Sequence, residues 1–303
     1  MNLHPTILPA FFEISRIPVS MCSGGIVVLV MGLLAAKNDL AEARGLDKIV
    51  ALANLCFATP LGVFGAEHLS DAREIMPLVP AYMPWRLFWT YFVGVALIAA
   101  SLSIATKIQV RWSGMLFGIM MVIFETMIII PGVHAHPNDR FAWIFVCREF
   151  SFASGGWILA GDAMSAGGQR ANKLIIVGRV IIGVAAMFYG VQHFLHPVNV
   201  PGVPLEKLMP TWIPGRVLIS YLTGSVLLVG GAAILLASKT RMAATYLGSW
   251  ILLLALVVYG PILIASLLDP STDVKVDGIN YFFDALLYAG AILALASATP
   301  RSE

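Results

Sequence analysis

One pattern is written twice along this chain, and the repetition constrains its fold more than any other feature. Phe64-Gly65-Ala66-Glu67-His68 returns as Tyr189-Gly190-Val191-Gln192-His193. Beyond a proline-rich loop, Pro80, Pro84, Arg86, Tyr91 and Gly94 return as Pro210, Pro214, Arg216, Tyr221 and Gly224. Further on, Arg111 and Pro131 answer to Arg241 and Pro261, and Glu149 and Gly155 to Asp284 and Gly290. The spacing between copies drifts only at two loops, so the matches describe one duplicated unit rather than scattered coincidences.

The unit is built for lipid. Of 303 residues, 59% are hydrophobic and 12% charged. A soluble domain carries about twice that share of charge. Long apolar runs between short polar loops predict a polytopic, all-α membrane protein with about nine spans near residues 18–36, 48–67, 87–106, 112–132, 142–161, 174–194, 216–237, 242–267 and 279–297, each close to the roughly 20 residues a bilayer requires. Residues 1–45 hold an interfacial segment (1–17) and an extra helix. Residues 46–165 and 172–297 hold the two four-helix repeats. An even number of crossings per repeat keeps both copies the same way up, so the expected architecture is two parallel-related four-helix bundles plus one N-terminal helix. Lys and Arg concentrate at the tight turns around Lys107–Arg111 and Lys239–Arg241. That side is assigned to the cytoplasm with the C-terminus, and the long proline-rich loops face outward. The opening residues lack the basic stretch and cleavage site of a removable signal peptide. The net charge of +2 gives no reason to expect nucleic acid as a partner. The three cysteines, Cys22, Cys56 and Cys147, lie singly in apolar runs and form no CxxC pair.

Polar residues at membrane depth are costly and are the functional candidates. His68 and His193 end the first helix of each repeat, next to Gly65 and Gly190, whose missing side chains let a helix or a ligand approach. Glu149 and Asp284 lie near the start of the last helix of each repeat. A histidine and a carboxylate on neighbouring helices can form a charge-assisted pair, which makes His68, His193, Glu149 and Asp284 the candidate catalytic set. Helix capping and the packing of buried polarity are the competing structural roles. Arg148 sits beside Glu149, whereas Phe283 precedes Asp284, so the expected partner of Asp284 is His193 or His196. Glu125 lies mid-span with no partner evident in the sequence and, with Gly65, Gly190 and His196, is a candidate for binding a ligand or cofactor. Glu67, His134 and His136 are a candidate metal set by donor type, and a haem between His68 and His193 is a further alternative.

The aromatic-Gly-x-x-His steps, the prolines after them and the glycine of the next helix resemble the DoxX/DoxD-like family of small bacterial membrane proteins. The second repeat carries the likeness through Arg179, Gly183, Tyr189, Gly190, His193, Pro210, Pro214 and Gly224. The first carries it through Phe64, Gly65, His68, Pro80, Pro84 and Gly94. The resemblance implies a bacterial inner-membrane location and a link to membrane redox chemistry, with quinone or a similar apolar ligand, and a redox protein or larger membrane complex as partner. The chain has no electron-carrying motif of its own. A non-catalytic subunit that anchors a larger complex is the main alternative, and a small-molecule transporter the third.

Overall fold

A computed structural model describes residues 15–165 and 173–300. Most of the segment expected at the interface (residues 1–17) lies outside the described residues. The described chain is helical, with no strand and one isolated antiparallel bridge, Asn199 to Leu208. Seven helices are long and apolar enough to cross a membrane: α1 (Arg16–Glu42), α3 (Arg86–Ala105), α4 (Val110–Ala135), α6 (Lys173–Leu195), α7 (Arg216–Leu235), α8 (Thr240–Leu267) and α9 (Thr272–Ala298). Two more helices, α2 (Ala53–Ser70) and α5 (Arg140–Ser165), coincide with expected spans but are less apolar. They carry Asn54, Glu67 and His68, and Arg148, Glu149 and Asp162, respectively.

The duplication recurs in the backbone. Left-handed residues open α3 and α7 at Trp85 and Gly215. The tight turns before α4 and α8 repeat the same conformation at Lys107 and Gln109 and again at Ala237 and Lys239. Arg86 donates to the carbonyl of Val79, and Arg216 to that of Met209. α4 and α8 each widen into one π turn, Glu125–Ile129 and Ala255–Tyr259, followed by Pro131 and Pro261. A proline has no N–H for the carbonyl one turn back and its ring crowds that carbonyl. The wider turn relieves the crowding without breaking the helix.

The two repeats interlock instead of standing as separate bundles. Within each repeat the first helix packs on the second (α2 on α3, α6 on α7) and the third on the fourth (α4 on α5, α8 on α9). The last helix of one repeat then packs on the first helix of the other: α9 on α2, and α5 on α6. α5 and α9 cross at the centre, and α1 lies along α2. In α9, 78% of the most apolar stretch is buried, against 22–39% in the other six apolar helices, so α9 is a core helix while the others show one face to lipid. The closeness needs small residues. A Cβ on Gly290 would come within 2.5 Å of the backbone nitrogen of Phe57. The lipid side carries exposed Val30, Leu34, Phe92, Leu116, Leu222 and Val257. A central helix escapes the demand for a lipid-compatible surface, and that is why polar residues concentrate on α2, α5 and α9.

Candidate functional site at the crossing of the repeats

The centre of the molecule holds an ion cluster. The Arg148 guanidinium donates through Nη1 to Asp284 Oδ2 at 2.9 Å, and through Nε and Nη2 to Glu149 Oε1 at 2.8 and 2.6 Å. Its plane also lies over the Phe145 ring, 4.7 Å from the centroid. Glu149 and Asp284 are the matched acids of the two repeats, and one arginine joins them. This corrects the expectation that Asp284 pairs with His193 or His196. Phe283 leaves the second repeat without a cation of its own, and the interlocked helices bring Arg148 to fill the place. Glu149 is the tenth residue of α5 and Asp284 the thirteenth of α9. At 1.5 Å per residue they lie about 13 and 18 Å from the N-terminal ends of their helices, deeper than the two turns expected. Two acids share one cation, so the triad keeps one uncompensated negative charge when all three are ionised.

Glu125 opens the π turn of α4 within electrostatic reach of Arg148 and Glu149. Its side chain is 0% exposed, and neither carboxyl oxygen has a hydrogen-bond partner. A buried carboxyl with both oxygens idle is expensive to keep. Its counterpart in the second repeat is Ala255, so the fold does not require an acid here. One turn beyond Asp284, the Tyr288 hydroxyl is also buried without a partner, and the Tyr288 ring packs edge-on to Tyr189 at 6.0 Å.

The histidines part company. His193 is fully buried, with Nδ1 2.6 Å from the Tyr189 carbonyl and Nε2 accepting the Gly202 N–H at 2.8 Å. Donation to the carbonyl fixes the proton on Nδ1, and both nitrogens are then spent on the fold. No nitrogen is left for a substrate or a haem iron. His68 repeats the first contact, Nδ1 to the Phe64 carbonyl at 2.8 Å, but is half-buried, and no described residue bonds its Nε2. Neither histidine forms an ion pair with Glu149 or Asp284 in the described structure. His196 lies just beyond α6, where burial and nearby Arg140 hold its imidazole below its ordinary pKa. Gly65 and Gly190 serve packing: a Cβ would meet Ile98 or Leu228 at 2.7 Å.

The metal set does not assemble. Glu67 accepts from Asn280 Nδ2 at 2.8 Å, while His134 and His136 are exposed at the end of α4. Among the described residues no three His, Cys, Asp or Glu side chains gather closely enough to hold an ion.

One element is a surprise. The loop after α6, one of the proline-rich loops expected to face outward, is instead buried among the helices. Asn199 to Leu205 are all buried, with Val203 and Leu205 at 0% exposure. Val200 N–H donates to Lys207 O and Met209 N–H to Val198 O, while Asn199 Nδ2 donates to Leu205 O and Glu206 O. Gly202 needs its lack of a side chain, with φ at +110°. Helices on every side hold the loop: His193 through Gly202, the Tyr259 hydroxyl through the Val203 carbonyl at 3.1 Å, Arg140 through the Leu205 carbonyl, and the Tyr281 hydroxyl through Glu206. The signal in the sequence is the apolar run Val200-Pro201-Gly202-Val203-Pro204-Leu205, out of place in a loop facing water. No family model matches the chain, and no curated protein or solved structure matches it either.

Proposed function

We propose that the protein is an integral membrane protein of nine crossings that binds an apolar ligand with a polar head, of the quinone class, beside Glu125 and the Arg148–Glu149–Asp284 cluster. The observation that carries this reading is the Glu125 carboxyl, buried with both oxygens idle and replaced by alanine in the repeat where the same fold has no use for it. A group kept at such a cost without structural return is a functional candidate. The head of the ligand supplies the missing hydrogen bonds, and its tail lies in lipid. A quinone–quinol couple bound there would supply chemistry of two electrons and two protons. Glu125 is placed to exchange protons with the head, while Arg148 keeps Glu149 and Asp284 fixed and sets the local field. Electrons are exchanged with a redox partner. The resemblance of the repeat to the DoxX/DoxD-like family supports the redox association and a bacterial inner membrane, with the long loops outward and the C-terminus in the cytoplasm. The His–carboxylate proton couple expected at the outer rim gives way to Glu125 in this reading, because His193 is consumed by its own loop.

The test is a lipid extract. The chain is purified in mild detergent, and co-purifying small molecules are identified by mass spectrometry alongside an absorption spectrum. A quinone-class molecule should accompany the native chain and be lost from Glu125→Leu. That variant should remain folded, because it removes no bond inside the protein. An extract identical in the two would end the reading.

A further inference from the structure

The two repeats provide an internal comparison. In the second, the buried loop occupies a position bounded by His193, Leu254 and Tyr259. The Gly202 N–H bonds His193 Nε2, and a Cβ on Gly202 would lie 3.5 Å from the Tyr259 hydroxyl and 3.9 Å from Leu254. The matching residues of the first repeat are His68, Phe124 and Ile129, with Glu125 next in line and Val146 where Tyr281 stands. There the loop is five residues shorter. Its residues from Arg73 to Trp85 are exposed or half-buried. Among the described residues nothing equivalent covers the π turn: Leu254, Val258 and Tyr259 are 4%, 3% and 1% exposed, whereas Phe124, Ile128 and Ile129 are half-buried. The groups that grip the loop in the second repeat, the Tyr259 and Tyr281 hydroxyls, are replaced by aliphatic Ile129 and Val146. The acceptor that receives its N–H is retained as His68.

We infer that this uncovered position of the first repeat, between His68 and the Glu125 π turn, is the ligand position, and that its occupant is an amphiphile whose head donates hydrogen bonds, a phenol or hydroxyl, in the place of the Gly202 N–H. The reasoning is one of donor and acceptor. His68 Nδ1–H is spent on the Phe64 carbonyl, so Nε2 offers only a lone pair. A head with carbonyls alone leaves that lone pair unpaired, whereas a head with a hydroxyl satisfies it, and sites built on hydrogen bonds reject analogues that lack the matching group. The second repeat takes no ligand, because its own loop fills the position. The inference rests on the proposed reading that an apolar ligand binds near Glu125, and adds which head group is selected and that each chain holds one.

The test uses the full chain in nanodiscs with two probes that differ only in the donor: 4-nonylphenol and its methyl ether, 4-nonylanisole. The phenol should bind at one site per chain, about tenfold tighter than the ether, the worth of one good hydrogen bond. In His68→Phe that ratio should fall to within about twofold. Equal binding of the two probes to the native chain, a measurement that involves no variant, would overturn the inference, as would a ratio that survives His68→Phe or a count of two sites per chain. A stable dimer of the ligand-free chain with α4 at the contact would show that a second copy covers the position and would also overturn it. If neither probe binds but a Glu125-dependent ligand is recovered in the extract, this inference fails and the proposed function stands. If no ligand is recovered either, both fail.

Discussion

The second repeat is finished inside itself, and the first is not. Both fold the same helices with the same left-handed turns and the same π turns. In the second, three polar groups around the π turn meet partners from the buried loop: His193 with Gly202, Tyr259 with Val203, Tyr281 with Glu206. In the first, Glu125 meets none, and His68 keeps a lone pair idle. Duplication supplies two copies of one framework, and a framework that can be sealed by its own loop in one copy can leave the other open for chemistry. A histidine kept in both copies therefore does not mark the same role twice: one closes the fold and the other faces the open position.

The comparison can be broken at several points. The largest effect is expected at Arg148, which links the two matched acids. Arg148→Met strands Glu149 and Asp284 and should cost about 3–5 kcal/mol. Adding Glu149→Gln and Asp284→Asn to it should restore most of the loss, read as thermal stability in detergent. A triple variant no more stable than the single would show that the cluster does not act as a unit. Next comes the loop: Leu205→Ala, at 0% exposure, should cost about 2–5 kcal/mol, whereas Leu78→Ala in the first-repeat loop, 62% exposed, should stay within about 0.5 kcal/mol. Similar losses at both positions would remove the distinction between sealed and open. Third, His193→Phe strands the Gly202 N–H and removes the second bond to the Tyr189 carbonyl, and should cost about 1–3 kcal/mol, more than His68→Phe, which removes only the second bond to the Phe64 carbonyl at a half-buried edge. The reverse order in a denaturation series would contradict the assignment of roles.

The smallest effect concerns pH, at two matched positions. His196 lies just past α6, and Asp71, its counterpart, just past α2. Burial and nearby Arg140 lower the His196 pKa, so its contribution to stability is present above the unfolded imidazole value and is lost as pH falls through the lower folded one. Burial, with Glu74 and Asp273 nearby, raises the Asp71 pKa. Its contribution is therefore present below the unfolded carboxyl value and is lost as pH rises through the folded one. Relative to the native chain, His196→Asn should soften the loss of stability in acid, and Asp71→Asn should add stability at neutral pH. Melting curves at pH 5 and pH 7.5 that shift alike for both variants would refute the opposite signs.

Much of the framework was legible in the order of residues. The repeat, the apolar helices, the matched acids and the lack of a partner for Glu125 all follow from local pattern, because helix formation in lipid is a demand each segment meets by itself. The expected bundles differ from the structure where pairing spans the chain. No local rule joins Arg148 to Asp284, 136 residues away, or sends the first helix of one repeat against the last helix of the other. The metal set failed for the same reason: Glu67 turned to Asn280 on α9, leaving His134 and His136 in the open.

By itself, then, the sequence determined that the chain is a doubled set of membrane-capable helices with a few acids and imidazoles that lipid would not tolerate on its side. The tertiary structure decided which of those groups are satisfied. Hydrogen bonds and ion pairs act over about 3 Å, and only interlocked helices and a buried loop settle which atoms come that close. That is why His193 and Asp284 found partners inside the protein, while Glu125 and one nitrogen of His68 did not.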